Sequence, residues 1–127
     1  MLDDADGYAA NAVGHKFEGK HLLAELVNVE RQLLNDMERL QAALHDSVIK
    51  CGATVCGVSG KKFDPEGMTL VLLLEESHAA IHTYPESGCL FLDIFTCGTC
   101  QPLIALKHLA TVLSAEPKNV KVLERGR

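Results

Sequence analysis

Tryptophan is absent from this chain of 127 residues, and aromatic residues make up only 5% of it. A core must therefore be built from Leu, Val, Ile and Ala, which the hydrophobic share of 47% allows. No apolar run approaches the roughly 20 residues of a membrane-spanning helix, and the acidic first residues lack the pattern of a signal peptide. Basic residues are outnumbered by acidic ones, 12 to 17. The net charge of -5 argues against nucleic acid or an anionic membrane as a partner, and we expect a cytoplasmic protein.

The number of cysteines is odd, which fits reduced thiols better than a disulfide framework. They are Cys51, Cys56, Cys89, Cys97 and Cys100. The chain length predicts a single domain. Residues 1–18 are polar and aperiodic and are expected to form a flexible tail, so the folded domain spans residues 19–127.

Apolar runs and turn residues predict an α+β fold. Strands are expected at 21–27, 53–58, 68–74, 79–83, 89–95 and 120–123, with turns or breaks at 59–62, 96–99 and 116–119. Three- and four-residue spacing predicts one helix over 29–50 and a second from Pro102. This order favours a two-layer sandwich, an antiparallel sheet with two helices on one face. The uncovered face would be apolar, and pairing of two sheets in a homodimer is its simplest cover.

Residues 75–98 hold an unusual number of reactive groups for a stretch that otherwise resembles sheet core. Ser77 lies between Glu76 and a histidine, His82 follows five residues later, and Cys97 ends the next apolar run. The glycines of a serine-hydrolase nucleophile elbow are missing. Ser77 is then either a turn residue bonded to local backbone or a self-processing nucleophile.

Self-processing begins when a serine hydroxyl attacks the preceding carbonyl and forms an ester. β-Elimination of that ester gives dehydroalanine, which hydrolyses to a pyruvoyl group. The route needs a strained turn, a base for the α-proton and a donor near the oxyanion. We expect Ser77 in a tight turn between two strands, with His82 across the turn as the base.

Several segments together carry a family resemblance. They are residues 19–22 and 24–25, Phe63 with Pro65 and Gly67, residues 76–78, residues 81–83 with 85–86, Asp93 with residues 95–98, and residues 124–127. With them the chain resembles the prokaryotic S-adenosylmethionine decarboxylase proenzyme family, in its small class from archaea, Gram-positive bacteria and thermophiles. The resemblance runs from about residue 17 to residue 127.

The resemblance implies a role for each matching residue. Cleavage between Glu76 and Ser77 would give a β chain, 1–76, and an α chain, 77–127. Ser77 would become the pyruvoyl group that forms a Schiff base with the substrate amine, without pyridoxal phosphate or a metal. His82 would accept the proton during processing, and Cys97 would return a proton to the substrate carbon.

Further roles concern substrate binding and assembly. The resemblance implies that Phe63 stacks on adenine and that Glu86 binds the ribose hydroxyls. Thr69 is a possible helper hydroxyl in processing. The α and β chains would stay associated, as a homodimer of αβ units.

The implied activity is decarboxylation of S-adenosylmethionine to the aminopropyl donor for spermidine synthesis. Glu75 and Tyr84 depart from the family pattern at the rim of the site, which leaves arginine or ornithine as an alternative substrate. A non-catalytic domain is a further alternative. A redox domain is another alternative, because residues 97–100 form a C-x-x-C motif. The two cysteines of this motif could also join Cys51 and Cys56 in a zinc site.

Overall fold

Alternation of buried and more accessible side chains gives the strands at the centre of this protein one side that faces a core. A computed structural model describes residues 18–126. The strands are β1 (Gly19–Val27), β2 (Val55–Lys62), β3 (Met68–Leu74), β4 (Ser77–Tyr84), β5 (Cys89–Cys97) and β6 (Glu116–Arg125). They form one antiparallel sheet in the order β2-β3-β4-β5-β1-β6. The expected tail, residues 1–18, lies outside the described residues apart from Glu18.

Three α-helices share one core with the sheet. They are α1 (Arg31–Leu34), α2 (Met37–Lys50) and α3 (Pro102–Val112), and a short 3-10 helix, Pro85–Ser87, precedes β5. Leu34, Leu40 and Leu109 of the helices are completely buried together with leucines of β1, β3 and β5. The predicted antiparallel α+β sandwich is confirmed. No helix between residues 18 and 126 has the length and apolar character of a membrane span.

Residues 18–126 contain three α-helices where two are expected, because the segment 29–50 is interrupted. Asp36 has an extended backbone, with φ -100° and ψ 91°, and its side chain accepts a hydrogen bond from the Arg39 N–H at 3.1 Å. It therefore caps α2 and separates it from α1. Residues 59–62, expected as a turn, belong to β2, where they pair with β3. Residues 116–119, expected as a break, begin β6, an edge strand that tolerates Pro117.

The side of the sheet opposite the helices, called the outer face here, carries the alternate strand residues. Several of its apolar side chains are exposed: Leu23, Leu73, Tyr84, Phe91 and Leu123. The rings of Tyr84 and Phe91 pack against each other with centroids 4.8 Å apart. The outer face is therefore a broad and partly apolar surface, as the sequence predicts for the side of the sheet that the helices leave uncovered.

Candidate active site

The turn between β3 and β4 brings the Glu76–Ser77 peptide bond next to Cys97. The pairing of β3 with β4 leaves Glu75 and Glu76 as the two residues of this turn. The register of β4 with β5 makes Cys97 level with Glu76. The Cys97 thiol donates a hydrogen bond to the Glu76 carbonyl oxygen, with 3.2 Å between Sγ and O. A donor thus lies on the carbonyl that the Ser77 hydroxyl would attack.

Glu76 has a backbone conformation that residues with a Cβ rarely adopt. Its φ is 56°, in the left-handed region. For an L-residue other than glycine this costs about 1–2 kcal/mol, because Cβ approaches the following carbonyl oxygen. The sequence predicts a strained turn at this bond, and the geometry of Glu76 agrees with that prediction.

A second group of predicted site residues lies at the other end of β4. Thr69 and His82 are cross-strand partners, and the Thr69 Oγ1 is 2.9 Å from the His82 Nδ1. Both line a cavity of about 230 Å³ together with Phe63, Tyr84 and Glu86. Phe63 is 49% exposed, so its ring is available to a ligand. The five side chains offer an aromatic wall, a carboxylate and a hydroxyl–imidazole pair.

The expected position of His82 across the turn from Ser77 is wrong within a single chain. Both residues lie on β4, and an extended strand rises about 3.3 Å per residue, so five residues separate them by about 16 Å. The two side chains also alternate between the faces of the sheet. The predicted site residues of one chain therefore fall into two separate groups, which we call the first half-site (Ser77 and Cys97) and the second half-site (Thr69 and His82).

Beside the first half-site is a hydrogen-bonded cluster, the Asp93 network, which consists of His21, His78, Asp93 and Arg125. The Asp93 Oδ1 is 2.5 Å from the His21 Nε2 and 3.2 Å from the His78 Nε2. The Arg125 Nη1 is 3.1 Å from the His21 Nδ1, and its guanidinium lies 5.2 Å from the centre of the Phe95 ring. Sequence spacing did not reveal this cluster, because its members come from β1, β4, β5 and β6.

The composition of the Asp93 network resembles a metal site, but its hydrogen bonds do not fit one. The ligand atoms of His21, His78 and Asp93 lie within 4.8 Å of one another. A guanidinium can only donate, so the His21 Nδ1 that faces Arg125 must hold the lone pair. A neutral His21 then carries its proton on Nε2, the atom that a metal would need free. The network is therefore a chain of fixed donors directed at the Asp93 carboxylate.

The cysteines of the described residues do not form the four-cysteine zinc site considered as an alternative. Burial, reinforced by the neighbouring Cys100 thiol, raises the pKa of the Cys51 thiol to about 11. Cys56 is exposed on β2, whereas Cys51 is buried at the end of α2. Within residues 18–126 the one group of three or more potential ligands close together is His21, His78 and Asp93, which contains no cysteine, so the four-cysteine alternative is contradicted.

Known proteins match this chain along most of its length. A family model described as S-adenosylmethionine decarboxylase matches residues 20–126. An S-adenosylmethionine decarboxylase proenzyme of Brevibacillus brevis is 45% identical over 109 residues, which cover 85% of this chain and 82% of the relative. A proenzyme of the same name from Symbiobacterium thermophilum is 40% identical, with coverage of 85% and 83%.

A solved structure agrees with the sequence matches. The crystal structure of the adenosylmethionine decarboxylase from Aquifex aeolicus superposes with a TM-score of 0.72 at 31% identity, covering 88% of this chain and 92% of that chain. These matches over most of the chain define a decarboxylase of the proenzyme type. The chain belongs to the S-adenosylmethionine decarboxylase family.

Proposed function

We propose that this protein cleaves itself between Glu76 and Ser77 and then decarboxylates S-adenosylmethionine. The observation that carries the proposal is the geometry of the scissile bond in a chain of this family. The acyl residue, Glu76, is held at φ 56°, and its carbonyl oxygen already accepts a hydrogen bond from Cys97. The product would be an aminopropyl donor for polyamine synthesis.

The first stage of self-cleavage uses groups of the first half-site. The Ser77 Oγ attacks the Glu76 carbonyl carbon and loses its proton, while the Cys97 thiol stabilises the charge that develops on the carbonyl oxygen. The C–N bond then breaks, the Ser77 nitrogen takes up a proton, and an ester joins the two residues. This step also releases the backbone strain at Glu76.

The second stage needs a base for the Ser77 α-proton, and we assign it to His82. Thr69 supports this role, because its hydroxyl hydrogen-bonds to the His82 ring and so orients it. Loss of the α-proton expels the Glu76 carboxylate from the serine Cβ and leaves dehydroalanine. Hydrolysis with loss of ammonia gives the pyruvoyl group.

The pyruvoyl group, once formed, supplies an electron sink for decarboxylation. The chain's own residues bind the substrate and supply a proton. Phe63 provides a flat face for adenine, Glu86 provides acceptors for ribose hydroxyls, and Tyr84 adds an aromatic face that favours a sulfonium cation. Cys97 holds a proton on Sγ that can be returned to the substrate carbon.

The separation of the half-sites supports a homodimer as the active species. Two sheets stacked on their outer faces, about 10 Å apart, and related by a two-fold axis across β4 would bring the Glu76–Ser77 turn of one copy close to His82 of the other. The exposed apolar side chains of the outer face would be buried in the same contact. Each dimer would then hold two composite sites.

Complementation tests this arrangement. The Ser77→Ala chain and the His82→Ala chain are produced separately and together, with different affinity tags, and cleavage is followed by mass spectrometry. Each variant alone should stay intact, whereas the His82→Ala chain should be cleaved when the Ser77→Ala chain supplies its imidazole. Failure to cleave in verified mixed dimers would exclude the composite site. CO₂ release from S-adenosylmethionine by the unmodified protein tests the activity itself.

A further inference from the structure

The loop between β2 and β3 is held by a set of contacts that the proposed chemistry does not use. Arg31 on α1 donates two hydrogen bonds to the Glu66 carboxylate, one from Nε to Oε1 at 3.1 Å and one from Nη2 to Oε2. Asn35 donates from Nδ2 to the same Oε1 at 3.1 Å, and its Oδ1 accepts the Gly67 N–H at 3.1 Å. We call Arg31, Asn35 and Glu66 the clamp.

The clamp acts on the segment that carries Phe63. Residues 63–67, called the aromatic loop here, are closed by a hydrogen bond from the Phe63 N–H to the Gly67 carbonyl oxygen at 2.8 Å. Gly67 has φ 98°, and a Cβ there would lie 3.2 Å from the Thr83 carbonyl oxygen, so the loop approaches β4 closely. The position of the Phe63 ring therefore depends on how the far end of the loop is held.

Glu66 lines the same cavity as Phe63 and Glu86, so it could be taken for a ligand-binding acid. Its contacts argue otherwise. Both carboxylate oxygens are already engaged by Arg31 and Asn35, and the hydrogen bonds from these residues lower the pKa of Glu66. A carboxylate so engaged ties the aromatic loop to α1 and is poorly placed to receive a ligand's hydroxyl groups.

We propose that the clamp is a positioning device that holds the Phe63 ring over the cavity and thereby sets the affinity for an adenosine-bearing ligand. The inference rests on the proposed function, because it assumes that Phe63 stacks on adenine. It adds Arg31, Asn35 and Glu66 as residues that determine specificity through Phe63. We expect self-cleavage to proceed without them, since none of the three hydrogen-bonds to Ser77, Cys97, Thr69 or His82.

A double-mutant cycle separates positioning from direct binding. The probe is 5′-deoxy-5′-methylthioadenosine, which bears adenosine but no amine, and binding is measured by calorimetry on the self-cleaved protein. Glu66→Gln should weaken binding by about tenfold, because the ion pair between Arg31 and residue 66 is lost and the Phe63 ring is misplaced. Phe63→Ala should weaken it as well, and Glu66→Gln added to Phe63→Ala should cause no further loss. Glu38→Gln, at an exposed carboxylate of α2, is the matched control and should not change affinity.

Two further readouts complete the experiment. The KM for S-adenosylmethionine should rise with Glu66→Gln while kcat and the extent of self-cleavage stay the same. Unchanged affinity in Glu66→Gln, a full tenfold loss retained in the Phe63→Ala background, or slowed self-cleavage would each overturn the clamp proposal. If the unmodified protein binds no methylthioadenosine and releases no CO₂ from S-adenosylmethionine, the proposed function is overturned, and the clamp proposal with it.

Discussion

Replacing Glu76 by glycine tests whether backbone strain drives self-cleavage. Glycine adopts φ 56° without a Cβ penalty, so Glu76→Gly should remove about 1–2 kcal/mol of strain from the uncleaved turn. If that strain is released as the ester forms, its removal raises the barrier by up to the same amount. Cleavage should then slow by about 5- to 30-fold.

Two measurements separate strain from other effects of the substitution. Cleavage is timed by mass spectrometry after cell-free synthesis. In a Ser77→Ala background, where no cleavage occurs, Glu76→Gly should raise the free energy of unfolding by about 1 kcal/mol, since part of the relief is offset by the greater freedom of glycine in the unfolded chain. Glu75→Gly, at the neighbouring turn residue, is the control. A Glu76→Gly protein that is stabilised yet cleaves at the normal rate would refute the argument.

Three other predictions follow from the same structure. Ser77→Ala should give a folded, uncleaved chain that does not react with a hydrazide probe for carbonyl groups; labelling of this variant would contradict the assignment of Ser77. Cys97→Ala should cleave itself more slowly, by about tenfold or more, because one hydrogen-bond donor to the oxyanion is lost. The cleaved Cys97→Ala protein should also protonate its product poorly, which product analysis in deuterated water would reveal. The folded-state pKa of Cys51 is raised to about 11 from 9.0, so the thiol's contribution to stability is present below pH 9 and lost as the pH rises towards 11. The free energy of unfolding, measured by denaturant titration, should therefore fall less steeply over that pH range for Cys51→Ala than for the unmodified protein. Equal slopes would contradict this expectation.

The strands were predicted best where apolar runs are bounded by turn residues. β3 spans Met68–Leu74 as expected, and β5 extends only two residues further than predicted. The error at residues 59–62 has a simple cause. A Ser-Gly-Lys-Lys segment is typical of turns, but pairing with β3 keeps it extended, and such tertiary pairing overrides local preference.

The candidate site residues could be named from the sequence, but their grouping in space could not. Cys97 reaches the carbonyl of the Glu76–Ser77 bond because β4 and β5 pair in one particular register. His82 is near Ser77 in sequence and far from it along the strand. The Asp93 network and the clamp depend on contacts between distant segments, such as His21 with Arg125 and Arg31 with Glu66, which single-chain periodicity does not encode.

The length of β4 has a consequence for how the protein matures. If the composite site proposed above is correct, a solitary new polypeptide cannot complete self-cleavage, because β4 separates the nucleophile from the base. On the proposed arrangement, maturation follows second-order kinetics, and its half-time shortens as more polypeptide accumulates. A reactive ketone would then arise only after two copies have met, inside a contact that shields it from other cellular amines.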